Sequence, residues 1–332
     1  MKRALVARAP TRLDFGGGWT DVPPYPERDE GAVCNIAIAR YATATVSTDG
    51  QIGDGPRSAP AENDALVRAA IRRSSIANVA TRVTSDFPIG AGLGGSSAAG
   101  VAIAGALAAF SGAPLAPYEL AALSRATEAE ELGVPGGFQD HYAAAFGGAL
   151  LLTFADEVGV ERIPLSSDCR ASLARRGVLV YTGQSRISGK TITAVRDAYL
   201  AGNARVVGAL ARTKALAHEM AAALRAEDLD TLGSLVGEQW MHQRALHRSI
   251  STPRIEAIVA AAERAGALGT KALGASGGGC VLAIAADGRE DELAAALALL
   301  GERLTYSIDT GGFDVVAVIE DAEDDTVNLE LE

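Results

Sequence analysis

The chain has 332 residues, enough for two domains, and 48% hydrophobic against 21% charged residues excludes a disordered chain. A net charge of −11 with no Lys/Arg block excludes nucleic acid as the natural partner, because phosphate-backbone binding needs a basic face. The three cysteines, Cys34, Cys169 and Cys280, stand far apart with no CxxC pair. They suit neither a disulfide framework nor a zinc site, and they point to a cytoplasmic protein.

The N-terminus opens with basic residues but has no long apolar core, so it does not read as a signal peptide. Residues 3–9 alternate weakly and predict a strand. A turn-rich segment, 16–31, follows, with a glycine triplet and three prolines. Residues 32–48 predict one or two strands, 65–76 a helix and 79–89 a strand. No residue between Asp86 and Glu119 is charged. A membrane-spanning helix needs ~20 apolar residues. Here glycine and serine fill the front, and Pro114 and Pro117 close the end, so 96–110 predicts a buried helix and no membrane span. Residues 117–132 predict a second helix stopped by Gly133. A helix and then a strand are expected over 138–154, and strands over 158–165 and 177–183. One long helical region is expected from Lys190 to about His247, then a helix from Pro253 to about Arg264. Residues 271–286 read as a loop into a strand, 290–304 as a helix and 313–319 as a last strand. Strands followed by helices in each half predict an α+β chain of two packed lobes, 1–165 and 166–332.

Residues 88–100, PIGAGLGGSSAAG, pack five glycines between a strand and a helix. Glycine loses the most backbone freedom on folding, so this loop needs a specific reason. Gly90, Gly92 and Gly95 satisfy G-x-G-x-x-G, but no second strand with a ribose-binding acid follows, which argues against a dinucleotide fold. The segment 183–191 ends in Gly-Lys-Thr but encloses five residues between its glycines, where a P-loop has four. The remaining reading is a helix N-terminus open to a triphosphate, with amide hydrogens and the helix dipole facing the anion. Ser96 and Ser97 then stand where a phosphate-bound Mg²⁺ takes a hydroxyl, although either serine alone also reads as a helix cap.

This string resembles the central motif of the GHMP small-molecule kinases. RAPTRLDFGGGWTD (8–21) resembles that family's first motif, and LGASGGGCVLAI (273–284) its third. EAEELGVPGGFQDHYAAAFGG (128–148) is similar to the segment that supplies a metal ligand and the catalytic aspartate. Within the family, GGGWTDVPPY, GGFQDHYAAAFGG and YTGQSR resemble the heptose 7-phosphate kinase branch first and the fucose-kinase branch second. Galactokinases carry Glu-His in the places of Gly18 and Trp19, which argues against galactose.

The resemblance implies a two-lobed fold, with a mixed sheet and helices in the N-terminal lobe and an antiparallel sheet and helices in the C-terminal lobe. It implies ATP and Mg²⁺, and transfer to the anomeric (C1) hydroxyl of a sugar or sugar phosphate. Heptose 7-phosphate, giving heptose 1,7-bisphosphate, is the leading substrate. A fucose-type free-sugar kinase and a catalytically silent sugar sensor are the alternatives. Gly90, Gly92, Leu93, Gly94, Gly95, Ser96 and Ser97, with Gly277 and Gly278, would hold the phosphates. Ser97, or Ser96, and Glu128 would hold the metal. Asp140, in the first turn of a helix, would be the catalytic acid-base group, with Arg12 beside it. Asp21, Thr20 and Gly137 would contact the sugar. Trp19 would either stack on the sugar or pack, and Asp14 is either a site residue or a strand-end acid. Arg186, with Ser185 and Lys190, would bind a substrate phosphate or be solvated. His141 follows Asp140 but points about 100° away on a helix, so no histidine is given a role. Monomer and homo-oligomer both stay open.

Overall fold

The computed structural model describes residues 3–48, 61–74, 76–131, 133, 136–184 and 189–320. The first half contains β1 (Arg3–Gly16), α1 (Tyr25–Asp29), β2 (Gly31–Ser47), α2 (Ala61–Ser74), β3 (Ala80–Ser85), α3 (Gly95–Phe110) and α4 (Pro117–Ala126). A π-helical turn, Thr127–Glu131, continues α4. Then come α5 (Gln139–Phe146), β4 (Ala149–Phe154) and β5 (Val158–Ile163). The second half contains α6 (Ser167–Arg176), β6 (Gly177–Tyr181), α7 (Gly189–Leu200), α8 (Ala204–Arg225), α9 (Leu229–Leu246) and α10 (Pro253–Arg264). It closes with β7 (Ala267–Ala272), β8 (Cys280–Ala285), α11 (Glu290–Ala298), β9 (Glu302–Arg303) and β10 (Asp314–Glu320).

The strands form two sheets, ordered β10-β1-β2-β4-β5, with β3 also on β2, and β7-β8-β6-β9. The α+β, two-lobed expectation is met. Every ladder is antiparallel among the described residues, which corrects the mixed sheet expected for the first lobe. β4 and β5 are joined by a short turn, which an antiparallel pair permits without a crossover. The expected division at 165/166 falls between β5 and α6, yet β10, from the end of the chain, pairs with β1 in the first sheet.

β2 is one continuous strand. β1 pairs along one edge of this 17-residue strand, while the first half of β2 pairs with β4 and its second half with β3. β1 runs well past the predicted residue 9, and its end carries Arg12 and Asp14 into the interior between the lobes.

α3 explains the charge-free run. It is buried nearly all round, against β1 and β2 on one side and α4 on the other. Its glycines permit this: a Cβ at Gly100 would lie 2.5 Å from Ser124 Oγ, and one at Gly105 would lie 2.3 Å from the Phe313 ring. No helix among the described residues is long and apolar enough to cross a membrane.

The predicted helical region 190–247 is three helices. Gly202, with φ 68°, ends α7, and the Asn203 side chain caps the amides of Arg205 and Val206 to start α8. The Asp228 side chain likewise accepts from the Thr231 amide to start α9. Both caps are visible in the sequence but were hidden by the apolar periodicity around them.

Candidate active site

Three left-handed glycines shape the loop before α3. Gly90, Gly92 and Gly94 have φ of 69°, 74° and 76°, a region that costs residues with a Cβ. Gly94 is the N-cap of α3 and offers no side-chain cap. The first-turn amides therefore lack the partner that a capping side chain would give. A dipole end without a cap suits an anion.

The second glycine-rich loop, from the other lobe, closes onto this one. The Cys280 amide donates to Ala91 O at 2.7 Å, and a Cβ at Gly92 would lie 2.7 Å from Leu273 O. Of the two glycines expected at the phosphates, Gly277 donates its amide to Ile250 O at 2.8 Å. A Cβ on Gly278 would lie 2.6 Å from Gln184 O, so its bareness also serves loop packing.

Asp140 lies in the first turn of α5 and rests against the glycine loop. A Cβ at Gly94 would come within 3.0 Å of its carboxylate carbon. Arg12 Nε donates to Asp140 Oδ1 at 2.7 Å, and Arg12 Nη1 donates to Gly92 O at 2.7 Å. One buried guanidinium thus joins the aspartate to the loop. The Asp140 side chain keeps 25% exposure, so it can be reached, while the Arg12 side chain keeps 4%.

Ser96 Oγ donates to Glu128 Oε1 at 2.6 Å. This hydroxyl and carboxylate are hard oxygen donors side by side, the type Mg²⁺ takes when phosphates and waters fill its other positions. Ser97, the first-named metal candidate, instead faces His141 Nε2 at 3.3 Å. His141 also reaches Glu128 Oε2 at 3.0 Å and Ser124 Oγ at 3.0 Å. Burial raises the Glu128 pKa, but His141, Ser96 and Arg125 outweigh it, and the carboxyl sits below its ordinary value. The π-turn that carries Glu128 is the kind of irregular helical turn that often marks functional sites.

Asp21 is 1% exposed. Its Oδ2 accepts the Gln139 amide at 3.0 Å, and a Cβ on Gly137 would lie 2.0 Å from that oxygen. Burial pushes its pKa up to about 6, opposed by the Gln139 amide and assisted by Asp140 and Asp14. Asp14 meets a cation from the other lobe: Lys271 Nζ lies 3.2 Å from Asp14 Oδ2. Burial lowers the Lys271 pKa against the pull of Asp14.

Two expected sugar contacts are occupied by the fold. Thr20 Oγ1 lies 2.7 Å from Gly17 O and 3.0 Å from Ala32 O, and it accepts the Ala32 amide at 3.1 Å. Trp19 is buried in the core of the second lobe beside Tyr25 and Ile192, the packing role rather than stacking on an open face. Ser185 and Arg186 lie outside the described residues. A cavity of about 180 Å³ between α2, α3 and α4 contains none of these residues.

Sequence reasoning missed Asn35 and Lys271, gave His141 no role and did not weigh Gln139. Lys271 had a signal, being the only charge between Arg264 and Asp287 and lying beside a glycine-rich loop. Asn35 is likewise the one polar residue in AVCNIAIA. His141 was set aside on helical geometry, which separates it from Asp140 but turns it toward Glu128.

Residues 64–148 match the GHMP kinases N terminal domain, and residues 220–302 match the GHMP kinases C terminal domain. A D-glycero-alpha-D-manno-heptose 7-phosphate kinase of Campylobacter jejuni is 30% identical over 300 residues, covering 83% of this chain and 88% of its own. The chain belongs to the GHMP kinases. An L-fucokinase/L-fucose-1-P guanylyltransferase of Bacteroides fragilis is 27% identical over 84% of this GHMP kinase, which spans only 34% of that longer protein. The crystal structure of a D-glycero-D-manno-heptose 1-phosphate kinase from Bacteriodes thetaiotaomicron has the same fold. Its TM-score is 0.72 at 24% identity, and the match covers 97% of this chain and 100% of that one.

Proposed function

We propose that this GHMP sugar kinase uses ATP and Mg²⁺ to phosphorylate the anomeric hydroxyl of heptose 7-phosphate, forming heptose 1,7-bisphosphate. The observation that carries the reading is the Asp140 carboxylate lying against Gly94 and tied through Arg12 to Gly92 O. It sets a proton acceptor beside an anion-binding helix end, the two parts that phosphoryl transfer needs. The similarity to the Campylobacter jejuni heptose 7-phosphate kinase supports the choice of sugar.

The α3 amides and the glycine loop hold the β- and γ-phosphates of ATP. Ser96 and Glu128 hold Mg²⁺, which neutralises phosphate charge when bound. Asp21 accepts hydrogen bonds from sugar hydroxyls. The sugar O1 forms a bond to the γ-phosphorus as the bond to ADP breaks. Its proton passes to the Asp140 oxygen that Arg12 Nε leaves unengaged. A loose transition state asks for little proton removal early, so a carboxylate beside an arginine suffices. The first lobe, 1–165, carries the nucleotide and catalytic groups. The second, 166–332, contributes its glycine loop and binds the substrate phosphate through the segment around Arg186 and Lys190. A cytoplasmic location fits ATP use and three cysteines, all of them free and buried.

An ADP-release assay over free sugars and sugar phosphates tests the reading. The expected result is fastest turnover with heptose 7-phosphate. Faster turnover of L-fucose would move the chain to the free-sugar kinases. Sugar binding without ADP release would make it a sensor.

A further inference from the structure

We propose that Asp14 Oδ1 and Asn35 Oδ1 form a second hydroxyl-reading subsite for the acceptor sugar, and that Lys271 is the positioning residue holding it from the opposite lobe. The inference deepens the kinase reading above and rests on it.

Lys271 is held at the end of β1 by two hydrogen bonds and an ion pair. Its Nζ lies 2.7 Å from Asp14 O, 3.3 Å from Phe15 O and 3.2 Å from Asp14 Oδ2. Neither partner is reached by solvent: the side chains are 0% and 3% exposed. One carboxylate oxygen is therefore fixed by a cation, while the other, Oδ1, is buried without a hydrogen-bond partner. Asn35 stands opposite Asp14 in the β1–β2 register, so both side chains leave the same face of the sheet. Its Nδ2 donates to Gln139 Oε1 at 3.4 Å, and its Oδ1 is also buried without a partner.

Two acceptors left unmatched side by side in a buried polar cluster call for donors. Gln139 connects them to the reacting groups. It precedes Asp140 in the chain, and its amide donates to Asp21 Oδ2 at 3.0 Å. Gly18 lets the cluster pack tightly: a Cβ there would lie 2.4 Å from Asp14 Oδ2 and 3.1 Å from Gln139 Nε2. The carboxylate of Asp14 repels phosphate, so the fitting ligand is the polyol part of a sugar, whose hydroxyls donate. A site built to bind a hydroxyl discriminates strongly against a sugar lacking it.

The test pairs protein and substrate changes. Wild type, Asp14→Asn, Lys271→Met and Lys271→Arg are assayed with D-glycero-D-manno-heptose 7-phosphate and its 2-deoxy, 3-deoxy and 4-deoxy forms, by ADP release and by calorimetric sugar binding. One deoxy form is expected to bind wild type weaker by roughly tenfold or more. Asp14→Asn and Lys271→Met should bind that form and the full sugar alike, with KM for ATP unmoved. Lys271→Arg should retain part of the discrimination. The subsite is overturned if Asp14→Asn binds every sugar as wild type does, or weakens all of them by one common factor. Should Lys271→Met fail to fold, Asp14→Asn and Asn35→Ala decide the matter together. A wild type that phosphorylates none of these sugars would remove the kinase reading and the subsite with it. An active wild type with the uniform pattern would remove the subsite alone.

Discussion

Asp140→Asn is expected to lower kcat by roughly 10²–10⁴-fold, the usual contribution of a positioned proton acceptor, while KM for ATP changes by less than about threefold. The substitution keeps size and shape, so an amide oxygen can still accept from Arg12 Nε, and Arg12 Nη1 keeps Gly92 O. The glycine loop and the first turn of α3 are left as they are, which is why nucleotide affinity should survive. What disappears is the negative charge that orients the acceptor hydroxyl and takes its proton. Steady-state kinetics with both substrates varied checks this. A variant within threefold of wild type would remove Asp140 from the chemistry.

Asp21→Asn is expected to stabilise the protein while weakening sugar binding. Burial raises the Asp21 pKa from 3.8 to about 6, so the folded state holds this proton to higher pH than the unfolded chain does. With a raised folded value, the group's favourable contribution is present below about pH 4 and is lost as pH rises through about 6. At pH 7.5 the ionised, buried carboxylate therefore costs up to about 3 kcal/mol, taking 1.36 kcal/mol for each unit of pKa. Asn removes that cost and can still accept the Gln139 amide. Thermal unfolding from pH 4 to pH 8 should show Asp21→Asn gaining on wild type as pH rises. The same variant should raise KM for the sugar by roughly a hundredfold, because a site built to receive a hydroxyl loses its charged acceptor. Equal stability at pH 7.5 with an unchanged sugar KM would contradict both halves of this prediction.

Such a trade of stability for function is consistent with the cluster around Asp21. Asp14, Asp21 and Asp140 approach one another, and Arg12 and Lys271 answer two of them. Asp21 has no cation partner in the ion pairs of the described residues and is met by backbone amides, that of Gln139 at 3.0 Å.

Much of the fold was legible because its signals are local. Thr252-Pro253 announced α10, and the structure places the Thr252 hydroxyl on the Ile255 amide. The glycine loop announced its own geometry, since three of its glycines take left-handed φ. Long-range partners were not legible. β10 carries no mark in its sequence that it pairs with β1, about 310 residues away in the chain, because antiparallel pairing is set by face and register. The predicted strand at 3–9 stopped short for a similar reason: beyond Pro10 the residues are buried on both faces, so alternation vanishes.

The site divided along the same line. The order and spacing of motifs made Asp140, Arg12, Glu128 and Asp21 visible as candidates. Hydroxyl assignment was not readable, since Ser96 and Ser97 are adjacent and only the start of α3 turns Ser96 toward Glu128 and Ser97 toward His141. Lys271 and Asn35 lie on strands that reach Asp14 through tertiary contact and sheet register, so nothing in their own neighbourhoods named their partner.

The most direct measurement is a crystal structure with a non-hydrolysable ATP analogue, Mg²⁺ and heptose 7-phosphate. The expected result places the γ-phosphate on the amides of residues 94–97, with the sugar O1 within about 3.2 Å of the Asp140 carboxylate. A triphosphate bound elsewhere, or an acceptor oxygen out of reach of Asp140, would contradict the proposed site.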